Sequence, residues 1–320
     1  MIVRLGYVAI ALNLKNTTSS STVTYATYNK LKNEEERLRK LKSITFSNMD
    51  DLTTILNYNI ENNIHFYRLT SKLIPLTTHP EVLWDYKRYF SKELNRIGRI
   101  IKSANMRVDF HPDQFNVINS VKENVIEDTI RNLNHAVDLY DLMDYEYGKL
   151  VIHIGSSTGG KEESMNRFIS NVRKFPERIS KRLILENDDK VFTANNVLHI
   201  CNELKVPMVL DVHHHNCKND GENLGDMLGD IFNTWKEEKL PPKIHFSSPR
   251  EGELDRKHAD YIDVNDFAKF LDIARENIDM DFDVMIEAKK KDLALFKLMK
   301  DLKEIGYKCE FIDNSTIKLK

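Results

Sequence analysis

Between residues 150 and 212 the chain reads LVIHIG (Leu150–Gly155), RLILEN (Arg182–Asn187) and PMVLDV (Pro207–Val212). Each is a short, nearly continuous apolar run. Strands buried on both faces of a parallel sheet read this way. Two stretches with helical character, Ser164–Ser180 and Thr193–Leu204, separate them. The same rhythm continues in both directions. Further strands are predicted at Ile2–Ala9, His65–Leu69, Arg107–His111, Lys243–Ser247 and Phe282–Ala288. Further helices are predicted at Glu34–Asn62, Glu81–Ser103, Glu123–Met143, Leu224–Glu238, Val264–Ile278 and Asp292–Ile305. Eight β units alternating with helices predict an α/β fold, a single-domain (β/α)8 TIM barrel over residues 1–306. Residues 307–320 lie beyond the eighth helix and are expected to form a C-terminal appendage. A doubly wound sheet, the alternative, would carry a Gly-rich phosphate turn after an early strand. None is found: the one dense Gly/Ser cluster, GSSTGG at Gly155–Gly160, reads first as a plain βα loop.

Bulk properties narrow the class. The chain has 320 residues, 41% of them hydrophobic, and a formal net charge of −2. It is no polycation, so nucleic-acid binding would need a local basic face. Three unpatterned cysteines, Cys201, Cys217 and Cys309, argue against a disulfide scaffold and fit a reducing compartment. No apolar run is long enough to span a membrane, and the N-terminal MIVRLGYVAIALNL reads as a buried first strand rather than a signal peptide. A cytoplasmic protein is expected, with no membrane association and no obligate protein partner.

The strongest functional signal is where the polar residues fall. Strand after strand ends in a metal-ligand type: His111 in VDFHPDQF, His153 in VIHIG, Glu186 in LILEND, Asp211 and His213–His215 in VLDVHHH, His245 in KIHFSS and Glu287 in VMIEAK. C-terminal strand ends build the active site of such a barrel. A charged side chain inside an apolar strand is costly unless paired or metal-bound. A lone core histidine is usually only hydrogen-bonded, but six consecutive strands repeating the pattern indicate a metal site. His79 in LTTHP and His258 in DRKHADY, both in βα loops, are candidates to complete it. Imidazoles mixed with carboxylates suit zinc or manganese better than calcium. The ligands outnumber one tetrahedral shell, so two or three clustered ions are expected. Such clusters serve phosphoester cleavage, with ions about 3.5–4 Å apart. Lys243 shares a strand face with His245 by the two-residue period. A neutral amine, an anionic adduct such as a carbamate, or a carboxylate partner would reconcile it with nearby cations; otherwise it faces the helices. His65, His135 and His199 are expected to be structural.

These motifs resemble those of the UV damage endonucleases. The residues carrying the resemblance are RLGY near the N-terminus, SKLIPLTTHP, HPDQF, LVIHIG, LILEND, LDVHHH, KIHFSSPREG with a histidine thirteen residues beyond His245, and VMIEAK. Asp211 and His214 form a D-x-x-H shared with the wider superfamily of endonuclease IV and xylose isomerase-like barrels. The resemblance implies a (β/α)8 nuclease with clustered divalent ions, commonly Mn2+, with Zn2+ or Mg2+ as alternatives. It implies damaged double-stranded DNA as the partner and incision immediately 5′ to cyclobutane pyrimidine dimers and (6-4) photoproducts. It implies His79, His111, His153, Glu186, Asp211, His214, His245, His258 and Glu287 as ligands, and Lys243, Glu186 and His245 as catalytic groups. Gln114 and Phe115 match the damage-probing wedge, with phenylalanine where some relatives carry tyrosine. Tyr7 matches a probing position on the opposite strand, and Asn13 is the candidate for an asparagine that follows it. Lys72, Arg250, Arg256, Lys257 and Lys289–Lys291 are the candidate phosphate contacts. An abasic-site endonuclease or a sugar isomerase on the same barrel is the competing expectation.

Overall fold

The computed structural model describes all 320 residues. Eight strands alternate with helices: β1 (Ile2–Val8), α1 (Tyr25–Asn29), α2 (Glu34–Glu61), β2 (Phe66–Leu69), α3 (Lys87–Ser103), β3 (Arg107–Phe110), α4 (Glu123–Leu142), β4 (Leu150–His153), α5 (Lys161–Val172), α6 (Glu177–Ser180), β5 (Leu183–Glu186), α7 (Ala194–Leu204), β6 (Met208–Asp211), α8 (Val212–Cys217), α9 (Leu224–Asn233), β7 (Lys243–Phe246), α10 (Val264–Asn277), β8 (Phe282–Ile286) and α11 (Lys291–Glu304). A hairpin, β9 (Cys309–Phe311) and β10 (Thr316–Leu319), ends the chain. Each of β1 to β8 pairs in parallel with the next, and β1 pairs with both β8 and β2. The sheet is therefore a closed single-domain barrel, as the strand rhythm predicts. The tail is more than a loose appendage: β10 pairs antiparallel with Ile2–Arg4, the half of β1 that β2 leaves free.

Alternation along the strands sorts side chains to two sides. Val108, Leu185, Leu210, Ile244 and Val284 join the main apolar core between barrel and helices. The residues between them face the lumen. On β4, β5 and β6 these are Val151, Ile184 and Val209, which pack with Trp235 as a separate buried cluster. The other half of the lumen is charged, unlike the branched apolar filling usual for this fold. Near the N-terminal ends, Asp283 accepts from Arg4 Nε (2.6 Å) and Arg107 Nη1 (2.7 Å). One layer higher, Lys243 reaches across from β7 to Asp109 on the diametrically opposite β3, and Arg68 Nε lies 3.5 Å from Asp109 Oδ1.

Two helices differ from expectation for local reasons. α3 starts at Lys87 rather than Glu81, because residues 81–86 follow Pro80 through a turn with Leu83 at φ 33°. The helix expected over Ser164–Ser180 is two, divided before Pro176, which caps α6. The polar segment Asn16–Thr24, which follows β1, is pinned to α2: the buried Asn48 side chain accepts from Ser21 N (2.9 Å) and donates to Ser21 O (2.8 Å).

His135 on α4 is structural, as expected. Its ring bonds Thr77 Oγ1 (3.1 Å) and Tyr86 Oη (3.0 Å), and burial lowers its pKa to about 4. The unfolded chain takes up this proton near pH 6.5, whereas the folded protein resists it. This group's contribution to stability is whole above about pH 6.5 and is lost as pH falls toward 4. Urea unfolding of His135→Gln is expected to show a shallower loss over that interval than the parent; an unchanged profile would remove His135 as a cause.

Candidate metal centre

The strand ends of β3 to β8 converge on the carboxylate of Glu186, which is 1% exposed at the end of β5. Its Oε2 lies 3.0 Å from His111 Nε2 and 3.6 Å from His153 Nε2. Its Oε1 lies 2.9 Å from His245 Nδ1 and 3.6 Å from His214 Nδ1. Three sets of donor atoms come close enough to share an ion: His111, His153 and Glu186; Glu186, Asp211 and His214; and Asp211, His245 and Glu287. Glu186 and Asp211 each belong to two sets, so the sets are contiguous.

Local structure aims each group. β6 runs directly into α8, and Asp211 caps that helix, its Oδ1 accepting from His214 N (2.8 Å). The cap turns the His214 ring back over the strand end, where Nδ1 donates to Asn187 O (2.9 Å). Asn187 in turn holds Asp211 by a reciprocal pair of backbone contacts at 2.9 and 3.0 Å. His258 comes from the loop after β7, where its bridge with Pro249 sets its Nδ1 3.9 Å from Glu287 Oε2. Of the three consecutive histidines, only His214 enters the cluster. His213 faces the Cys217 thiol (3.8 Å), and His215 is buried with an unpartnered Nδ1.

The electrostatics explain why these groups tolerate one another. Burial opposes charge on Glu186, but His245, His153 and the imidazole hydrogen bonds outweigh it and hold the carboxyl well below its usual range. Burial, then repulsion from Glu186 and Glu287, raises Asp211 to about 7 against the pull of His214. Burial also works against charge on His214, yet Asp211, Glu186 and the Asn187 carbonyl raise it to about 9. His245 is driven down to about 4, mainly by burial, and stays neutral.

Two residues missed in the sequence form the floor. Arg68 donates to Glu287 and, through Nη2, to His245 Nε2 (2.6 Å). Because the guanidinium can only donate, His245 accepts at Nε2 and carries its proton on Nδ1, toward Glu186. Asp109 receives the Lys243 ammonium. Of the arrangements open for Lys243, the structure thus shows the carboxylate partner, and burial lowers the amine to about 8. The outward-facing reading is wrong: Lys243 is 1% exposed and lies in the lumen.

The remaining predicted residues divide. Gln114 and Phe115 sit at the corner of a turn closed by Asn116 N donating to Asp113 O (2.9 Å), and Phe115 is 76% exposed. The turn overhangs a cleft of about 820 Å³ that reaches His111, His153 and His214. His79 joins none of the three donor sets. Its ring stacks on Tyr25 (4.2 Å), and its Nδ1 accepts from Glu81 N, leaving Nε2 as its ligand atom. Asn13 is exposed at the mouth, donating to Tyr58 Oη (2.9 Å). Tyr7 corrects an expectation. It is fully buried on the helix side of β1, its hydroxyl donating to Asn59 Oδ1 on α2 (2.7 Å), away from the open mouth.

Fold and site together define a (β/α)8-barrel enzyme whose reactive groups gather at the C-terminal strand ends. Residues 3–318 match the family described as UV-endonuclease UvdE. The chain is 40% identical over 306 residues to the UV DNA damage endonuclease of Bacillus mycoides (strain KBAB4), covering 95% of this chain and 96% of that one. Its structure matches the crystal structure of SacUVDE with a TM-score of 0.84 and 38% identity, over 95% of this chain and 99% of that chain. Endonuclease IV from Thermus thermophilus matches at a TM-score of 0.56 with 12% identity, over 94% and 99% of the two chains, a likeness of fold. The chain belongs to the UV-endonuclease UvdE family. No helix is long and apolar enough to cross a membrane.

Proposed function

We propose that this protein is a DNA repair endonuclease that incises the phosphodiester immediately 5′ to cyclobutane pyrimidine dimers and (6-4) photoproducts, using two or three divalent ions. Mn2+ is the first choice, with Zn2+ or Mg2+ as alternatives. The observation that carries the reading is Glu186, whose two oxygens face four imidazoles at the open mouth of the barrel.

The residues fit such ions on their own chemistry. His111 Nδ1 contacts the carbonyl of Pro112 (3.1 Å), which can only accept, so Nδ1 bears a proton. Nε2 then points a lone pair at Glu186 Oε2 3.0 Å away, and something positive, a proton or a metal ion, belongs between them. Asp211 Oδ2 and His153 Nδ1 are buried without a partner, a situation native structures ordinarily avoid. His111, His153, Glu186, Asp211, His214 and Glu287 would hold the ions, with His79 and His258 at the rim, and His245 would join them through Nδ1 on giving up the proton it now directs at Glu186. Ions bound there supply an activated water and neutralise charge on the attacking and leaving oxygens.

The chain's own groups do the rest. Arg68 offsets the charge of Glu287 and fixes the His245 ring. The Lys243–Asp109 pair closes the lumen beneath the cluster, which keeps the site open only toward the mouth. A photodimer weakens stacking and pairing, so it is extruded at lower cost than normal bases. Phe115 offers a stacking face at the mouth and Gln114 an amide. Phe115→Ala is expected to lower kcat/KM on dimer-containing duplex by about five- to 150-fold, the range for losing one aromatic–base stack, with bound metal unchanged. Parent-like kinetics would remove Phe115 from recognition.

The reading places the enzyme in the cytoplasm. Its test is nicking of supercoiled plasmid with Mn2+, with and without prior UV irradiation. Preferential nicking of irradiated plasmid supports it. Equal nicking of both, or cutting only of depurinated plasmid, would favour a general or abasic-site nuclease instead.

A further inference from the structure

Phe115 and Leu254 are the two most exposed large apolar side chains of the protein, at 76% and 70%. Phe115 follows β3 and Leu254 follows β7, which are four strands apart whichever way the closed barrel is traversed. The two loops therefore spring from opposite sides of the barrel, and the loop after β7 leans toward the β5 and β6 side of the mouth.

A single exposed leucine on a surface is ordinary. Leu254 differs because the loop that carries it is built. Ser248–Ala259 forms a short finger: Arg250 N donates to Lys257 O and Ala259 N to Ser248 O, both at 2.9 Å, with Pro249 bridging His258. Asp255 N donates to Gly252 O (2.8 Å) and closes the tip on which Leu254 sits. The tip is braced from outside. The Cys217 thiol of α8 donates to the Leu254 carbonyl (3.8 Å), and Arg256 Nε lies 3.5 Å from Asp189 Oδ2 on the β5 loop. Backbone braced at these points holds the Leu254 side chain out in water. The base of the same finger delivers His258 toward Glu287. Arg250 and Arg256 each face a carboxylate, Glu251 and Asp189, which leaves Lys257 as the finger's free cation. Glu251 and Glu253 beside the leucine would be repelled by phosphate. The tip thus suits the base stack rather than the backbone.

We propose that Leu254 is a second wedge, entering the duplex from the finger after β7 while Phe115 enters from the turn after β3, so that two apolar side chains hold the damaged step open over the metal centre. Side chains of this kind partly unstack a base step when inserted. The proposal rests on the endonuclease reading above.

The test uses a duplex with one site-specific pyrimidine dimer and 2-aminopurine in the opposite strand, whose fluorescence rises when the stack opens. A second duplex carries the same dimer opposite an unpaired bulge, already open. Leu254→Ala is expected to reduce the fluorescence rise and lower kcat/KM on the paired duplex roughly tenfold, as for one leucine side chain left unburied. On the bulged duplex it is expected to match the parent, and Leu254→Met is expected to restore most of the loss. Parent-like values for Leu254→Ala on the paired duplex, beside a parent that cuts it, would overturn the wedge alone. Equal losses on paired and bulged duplexes would also overturn it, because the defect would not lie in opening. A parent enzyme that neither opens nor cuts the dimer duplex would overturn the nuclease reading and the wedge with it.

Discussion

Glu186→Gln is expected to lower cleavage of UV-damaged DNA by at least about 10²–10³-fold, the range for losing one preorganised electrostatic contact in an active site. The substitution keeps volume and shape but removes the charge that four imidazoles face. It also puts an amide N–H₂ where an oxygen now points at either the His111–His153 or the His214–His245 side. One side of the cluster thereby loses an acceptor and gains a donor, which is hostile to a cation. Bound Mn2+ per chain, read by elemental analysis after dialysis, is expected to fall with the activity. Parent-like turnover of this variant would place the reaction somewhere else in the barrel.

Lys243→Met is expected to destabilise the fold by about 3–5 kcal/mol, the cost of leaving one member of a buried ion pair uncompensated. Lys243 and Asp109 are 0% and 2% exposed at their side chains, and no other full partner replaces the ammonium. Asp109 Oδ1 already lacks a hydrogen bond, and Arg68 Nε stands 3.5 Å away while its other nitrogens serve Glu287 and His245. The double change Lys243→Met with Asp109→Leu removes both charges and is expected to recover most of the loss. Urea unfolding of the single and double variants measures this directly. A single variant as stable as the parent would mean that the lumen hydrates freely or that Asp109 takes a proton at little cost.

Much of this molecule is legible in its sequence because the barrel buries its strands on both faces. LVIHIG, RLILEN and PMVLDV could hardly be anything but interior strands, and a polar residue at the end of such a run must have a partner. The same logic reaches Arg68 and Asp109. Asp109 precedes His111 by two residues and Arg68 lies in the short strand HFYRL, so period two places both in the lumen. They stand out less because an arginine is not a metal ligand and because His111 is the more conspicuous group in its strand. Parity also speaks against Tyr7 as a probe. Arg4 and Gly6 take the lumen side of β1, which sends Val3, Leu5 and Tyr7 to the helix layer. The terminal hairpin is not legible, because strands of three and four residues give too short a pattern and their partner, Ile2–Arg4, is at the other end of the chain. The finger that presents Leu254 is equally hidden, since its brace through Cys217 and Asp189 comes from α8 and the β5 loop.

Metal-dependent incision beside the lesion is tested most sharply by mapping both product ends on an end-labelled duplex holding one pyrimidine dimer, with Mn2+ and again after chelation. A single cut is expected at the phosphodiester immediately 5′ to the dimer, absent without a divalent ion. Cuts scattered along the duplex, a cut confined to abasic sites, or cleavage that survives complete removal of metal would contradict it.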